Sequence, residues 1–220
     1  ALAEWRGMGL LSASSAVLPQ QHPLVQPITT PESAPAWCQA DVVQQRSYRI
    51  LGTRFRISFS SSAQMQMVHP VLEHLEVPAS SDTATAVDIL EAPDRLIVYR
   101  DREVFAVCAR ITELAPIVKT LVWMTTVSGH HFFLDIHAGV ISDGSRCIVL
   151  PAPPGSGKST LTASLVKAGY QYFSDEVALL EEGSFRVFPL PLAIGVKTSG
   201  IDALSDRFPK LVGLTVHERG

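Results

Sequence analysis

Residues 146–161 read Arg146-Cys-Ile-Val-Leu150-Pro-Ala152-Pro-Pro-Gly155-Ser-Gly157-Lys158-Ser159-Thr160-Leu161. A short apolar run ends in a loop of prolines and glycines, and a helical stretch follows. Leu161 and Leu165 stand one turn apart in that stretch, and Gly169 stops it. The loop fits G-x-x-x-x-G-K-[ST], with Ala152 in place of the first glycine. Its composition has a chemical reason. Gly155 and Gly157 reach backbone conformations that larger residues resist, so successive N–H groups can converge on phosphate oxygens. The helix beginning near Ser159 adds its positive end. Lys158 supplies a mobile charge for β and γ phosphates, the Ser159 hydroxyl suits Mg²⁺, and Thr160 is placed for an α phosphate. The expected nucleotide-binding set is therefore Ala152, Pro153, Pro154, Gly155, Ser156, Gly157, Lys158, Ser159 and Thr160. An ordinary strand–turn–helix carrying a stray lysine is the alternative, and the flanking strand and helix weigh against it.

Phosphate chemistry needs carboxylates. Asp175 follows Lys158 by seventeen residues, within Tyr170-Gln-Tyr-Phe-Ser-Asp175-Glu176-Val. The apolar run before the acids reads as a strand beside the loop strand, which would deliver both acids to the phosphates. One would accept a proton from an attacking hydroxyl and the other would hold Mg²⁺ directly or through water. A solvated turn between strands is the bland reading. His130, His131 and His137 cluster upstream, but His131 and His137 would stand roughly 20 Å apart on an extended chain, too far to share one metal.

Working outward, Phe132–Ile141 is strand-like and Asp143-Gly144 signals a tight turn. Beyond the acids, strands are expected at Val177–Leu180, Phe185–Phe188 and Ala193–Val196, with a short helix over Ile201–Arg207. Upstream, Phe55, Ile57 and Phe59 alternate with polar residues as in a half-buried strand. Met65, Val68, Leu72 and Leu75 recur at helical spacing. Short apolar runs at Ala86–Leu90, Leu96–Tyr99 and Val104–Cys108 read as hairpin-linked strands, and a second helix spans about Glu113–Thr126. Residues 1–45 carry few charges. Ala1–Leu11 suits the last turns of a helix, and Pro19, Pro23, Pro27, Pro31 and Pro35 then impose an extended linker.

The chain has 220 residues, 46% hydrophobic and 18% charged, enough apolar material for a sizeable core. A formal net charge of −3 gives no global basic field for nucleic acid or acidic lipid. The most apolar stretch, Ile111–Val127, is broken by Glu113, Pro116 and Lys119, so no membrane span is expected. Three widely spaced cysteines, Cys38, Cys108 and Cys147, form no CxxC pair, which argues for a reducing, cytoplasmic setting rather than a disulfide framework or zinc site. The opening alanine and the ending at Gly220 read as those of a fragment.

The stretch from His137 to Leu180 resembles the catalytic domain of the HPr serine kinase/phosphorylases, whose nucleotide-binding fold is shared with ATP-dependent phosphoenolpyruvate carboxykinases. The resemblance rests on His137-Ala-Gly-Val standing twenty-one residues before Lys158, on the phosphate loop, on Lys167-Ala-Gly169 at the helix end, and on Asp175-Glu176. It implies that Asp175 is the base for a substrate serine, that Glu176 assists or holds metal where the family has a second aspartate, and that His137 tunes charge beside the phosphates. A strand histidine with an ordinary hydrogen bond is the competing reading of His137. Ala138 departs from the usual glycine. Pro189–Lys197 stands where the HPr-binding region is expected, and is similar to the divergent HPr-kinase-related proteins; Lys197 suits a phosphate contact or a solvated loop equally. The family commonly forms oligomers, so a homo-oligomer belongs among the implied partners.

The expected architecture is α/β (α+β): residues 1–45 a linker or tail, 46–128 a small α+β domain, and 129–220 a P-loop-containing mixed-sheet kinase domain of phosphoenolpyruvate carboxykinase-like type, C-terminally incomplete. The expected function is an ATP- and Mg²⁺-dependent kinase with catalytic Asp175, His137 and Lys158, metal held by Ser159 and Glu176, and a protein, peptide or small molecule as acceptor. A non-catalytic ATP-binding module and an ATPase are the alternatives.

Overall fold

The computed structural model describes residues 11–13 and 42–209. The expected proline-rich linker, the helix over residues 1–10 and the stretch 210–220 lie outside the described residues. The chain is a mixed α/β protein that divides into two compact units, one holding the described residues 42–129 and the other 11–13 and 130–209.

In the first of these, β2 (Gln44–Ile50), β3 (Thr53–Phe59), β4 (Thr85–Ala92), β5 (Arg95–Arg100) and β6 (Glu103–Cys108) form one sheet in chain order. Only the β3–β4 pairing is parallel, because the crossover helix α1 (Ser62–Leu72) intervenes. Phe55, Ile57 and Phe59 on β3 are fully buried, and so are Val87 and Ile89 on β4. Val68 and Leu72 on α1 and Leu114, Val118 and Leu121 on α2 (Leu114–Ser128) bury helical stripes. The Ser61 hydroxyl caps α1 by accepting from the Gln64 N–H, while Gln64 closes back on Ser60. Burial of Cys108, reinforced by the nearby Glu113 charge, pushes its thiol up to about 12.

The second unit holds two antiparallel sheets. One has the order β1 (Leu11–Ala13), β7 (Leu134–Ile136), β11 (Ala178–Leu180), β12 (Val187–Phe188). The other has the order β10 (Gln171–Ser174), β8 (Ala138–Ser142), β9 (Cys147–Pro151). Ile136, Ala138, Val140 and Ala178 form an apolar cluster fed by both sheets. Helix α3 (Lys158–Lys167) packs on β8 at Gly139, where an added Cβ would collide with Thr162 Oγ1. Gly139 is therefore a close-approach glycine. Helix α4 (Thr198–Ser205) brings Gly200 against Thr160, whose Oγ1 would lie 2.8 Å from a Cβ placed there.

Four local expectations are corrected. Phe132–Ile141 is not one strand: the chain leaves one sheet after Ile136 and enters the other at Ala138. Ala193–Val196 is not a strand; within it the Gly195 N–H donates to the Asp175 carboxylate, and just before it the Leu192 carbonyl accepts from Tyr172. Strand β10 does not neighbour the loop strand β9, since β8 lies between them. Leu11, read as part of a helix, is in a strand paired with Ile136.

Candidate functional site

Strand order decides what meets what. Both β10 and β9 run antiparallel to β8, so they run parallel to each other and their C-terminal ends share one edge. The glycine-rich loop leaves from the end of β9, Asp175 and Glu176 leave from the end of β10, and His137 precedes the start of β8. Ala138 pairs with Pro151, which places the start of β8 at the root of the loop. The acids thus reach this edge across β8 rather than from an adjacent strand.

The acids sit where a ladder is interrupted. Val140 pairs with Ser174 in one sheet, and Ile136 pairs with Ala178 in the other with the same register. Between these pairs the strands β7–β8 and β10–β11 break opposite one another. An irregularity in register at Tyr172–Ser174 adds local twist at the same point. Amides freed from the ladder need partners. The Ser174 hydroxyl accepts from the N–H groups of Glu176, at 3.2 Å, and Val177, at 3.1 Å. The Glu176 carbonyl accepts from the Ala138 N–H and faces the His137 ring.

The loop owes its shape to two glycines. Ser156 N–H closes on the Pro153 carbonyl at 3.3 Å, with Pro154 and Gly155 as the central residues. Pro154 supplies the fixed φ of a turn's first central position, and Gly155, at φ 83°, supplies the positive φ of its second. Gly157 has φ 91° and ψ 13° and caps helix α3. An added Cβ would meet open space at either glycine, so conformation rather than crowding demands them. Residues Pro153, Pro154, Gly155, Ser156 and Gly157 are exposed, and no side chain caps the first turn of α3. That turn presents amide donors and the positive end of the helix dipole at one exposed edge. The Ser156 amide is spent on the turn.

The Lys158 ammonium donates to the loop's own carbonyls, Ala152 at 2.6 Å and Pro153 at 3.2 Å. Burial lowers its pKa from the ordinary lysine value. The Glu176 and Asp175 charges oppose that shift, and Lys197 adds to it. Burial, then the Lys158 charge, lowers His137 as well, against the Glu176 and Asp175 carboxylates and the hydrogen bond to the Glu176 carbonyl. Lys158, His137, Asp175 and Glu176 therefore share one electrostatic neighbourhood, and Lys197 borders it. Ser159 and Thr160 are half-buried in the first turn of α3.

Asp175 is only 2% exposed. Tyr172 Oη lies 2.9 Å from its Oδ1, and the Gly195 N–H donates to Oδ2 at 3.1 Å. Tyr172 also reaches the Leu192 carbonyl at 2.7 Å. Burial, followed by the Asp175 charge, pushes the Tyr172 phenol far above its ordinary value. Sequence reasoning missed Tyr172, Leu192 and Gly195, for a strand tyrosine and an apolar loop carry no signal of a carboxylate partner. Among the described residues, no three His, Cys, Asp or Glu side chains gather as a metal-binding group, and no helix is long and apolar enough to cross a membrane. Comparison of the chain with protein families, curated proteins and solved structures finds no match.

Proposed function

We propose that this chain binds ATP at residues 152–160 and transfers the γ-phosphate to a serine-type hydroxyl of a protein, peptide or small molecule, in the manner of the HPr-kinase-like family. The supporting observation is the shared electrostatic neighbourhood: a helix N-terminus without a side-chain cap, a glycine loop and Lys158 lie at the same sheet edge as Asp175 and Glu176. Loop, helix end and ammonium bind the polyphosphate. Asp175 takes the proton of the acceptor hydroxyl. The acceptor oxygen forms a bond to the γ-phosphorus, the bond from that phosphorus to the β–γ bridging oxygen breaks, and ADP leaves with the electron pair. His137, kept neutral by burial and by Lys158, orders the acidic segment. Hard oxygen donors suit Mg²⁺, which keeps several waters and takes few protein ligands. The Ser159 hydroxyl and the Glu176 carboxylate are the residues that would hold it, and when bound it neutralises phosphate charge.

The low exposure of Asp175 favours a second reading, a nucleotide-binding module that changes conformation without transferring phosphate. One variant separates the two. Asp175→Asn should abolish transfer of label from γ-labelled ATP while ATP affinity stays within about threefold. Loss of binding in proportion to transfer would count against the base role. A wild-type chain that binds ATP but labels no acceptor supports the second reading.

A further inference from the structure

Resting on the kinase reading, we infer that Tyr172 is a positioning residue that holds the Asp175 carboxylate in one orientation and fastens the Leu192–Gly195 main chain across it. A base must be aimed within hydrogen-bonding reach of the proton it takes. A buried aspartate side chain left to its own rotamers has no such aim. Here the carboxylate is gripped from two sides, by the Tyr172 phenol at Oδ1 and by the Gly195 amide at Oδ2. Tyr172 stands three residues before Asp175, across the register irregularity that turns the end of β10. Its phenol has one proton and two acceptors at bonding distance, Asp175 Oδ1 and the Leu192 carbonyl. That single proton is shared between the acid and a carbonyl twenty residues further along the chain, so the phenol keeps both within hydrogen-bonding distance of one oxygen. Apolar filling alone would be served by phenylalanine, whereas a half-buried phenol must find polar partners, and these are the two it found. Lys158 and His137 feel the Asp175 charge; Tyr172 and Gly195 hold its carboxylate by direction.

Tyr172→Phe tests the link in the full chain, because it removes one oxygen and keeps the ring. Two readouts are taken: transfer from γ-labelled ATP with Mg²⁺ into an extract of the source cells, and amide hydrogen exchange. The expected result is a fall in kcat of about tenfold with the KM for ATP unchanged, and exchange of the Gly195 amide faster by about tenfold with the α3 amides unaltered. Unchanged kcat and unchanged Gly195 exchange would overturn the inference. So would a fall in kcat accompanied by a rise in KM and faster exchange throughout α3, which marks general loosening. If the wild-type chain labels no acceptor, the kinase reading fails by itself, and Gly195 exchange alone then decides whether Tyr172 holds Asp175 and its covering segment.

Discussion

The His137 ring nitrogen Nδ1 lies 2.9 Å from the main-chain oxygen of Glu176. A carbonyl oxygen only accepts, so Nδ1 carries the proton, and in the neutral ring Nε2 is left as an acceptor. The same carbonyl takes the Ala138 N–H at 3.2 Å, so one oxygen ties the start of β8 to the acidic pair. His137 thus makes an ordinary histidine–carbonyl hydrogen bond from the bend between β7 and β8, placed where it fixes the segment carrying Asp175.

His137→Ala removes that bond and leaves the Ala138 contact. Stability measured by urea unfolding should fall by about 1 kcal/mol. Phosphate transfer should fall more than ATP affinity does, because the acids move and the loop does not. Equal losses of both would show that the histidine supports the loop instead.

Lys158→Ala should raise the dissociation constant for ATP, read by calorimetry, at least about tenfold. Its present partners are carbonyls of the loop itself, so urea stability should change by less than about 1 kcal/mol. A large loss of stability with affinity retained would mean that the ammonium braces the loop and does not bind the ligand.

Gly139→Ala drives a methyl into Thr162 Oγ1 and must push α3 off β8, at a cost of about 1–3 kcal/mol. Thr162 Oγ1 is buried and has no hydrogen-bond partner among the described residues, so Thr162→Ala forfeits no such bond. The double variant should therefore be more stable than the sum of the single effects implies. A urea-based double-mutant cycle reads this directly, and simple additivity would refute the contact.

Cys108 ionises at about 12 in the folded chain against 9.0 for an ordinary thiol. Its folded value is raised, so its contribution is whole below pH 9.0 and drains away as pH climbs toward about 12. At pH 8 iodoacetamide should leave Cys108 unmodified in the native chain and label it in urea, as read by peptide mass mapping. Native labelling at the unfolded rate would contradict its burial.

Local signals were legible in the sequence and relayed ones were not. The β9–loop–α3 unit is written in adjacent residues: an apolar run, two glycines at positive φ and a helix stripe. The βαβ-containing sheet of residues 44–108 is legible for the same reason, since Phe55, Ile57 and Phe59 alternate and short turns separate the later strands. The change of sheet at His137 is invisible because alternation continues through it, and a period of two records which way a side chain points but not which sheet it joins. Ala193–Val196 has the apolar content of a strand. Its Gly195 amide is taken by the Asp175 carboxylate, and the Leu192 carbonyl before it by Tyr172, partners that periodicity does not reveal. The acid pair itself was legible by spacing from Lys158, but the burial of Asp175 and its bond to the distant Gly195 amide were not.

Strand β8 has the loop strand on one side and the acid strand on the other. Mechanically it is a common beam: a slip or tilt of β8 carries the phosphate end and the proton-accepting end together, preserving the distance between them. A reaction that needs those ends to approach must therefore bend the loop or the acidic turn, where regular pairing has already stopped, and leave the beam at rest.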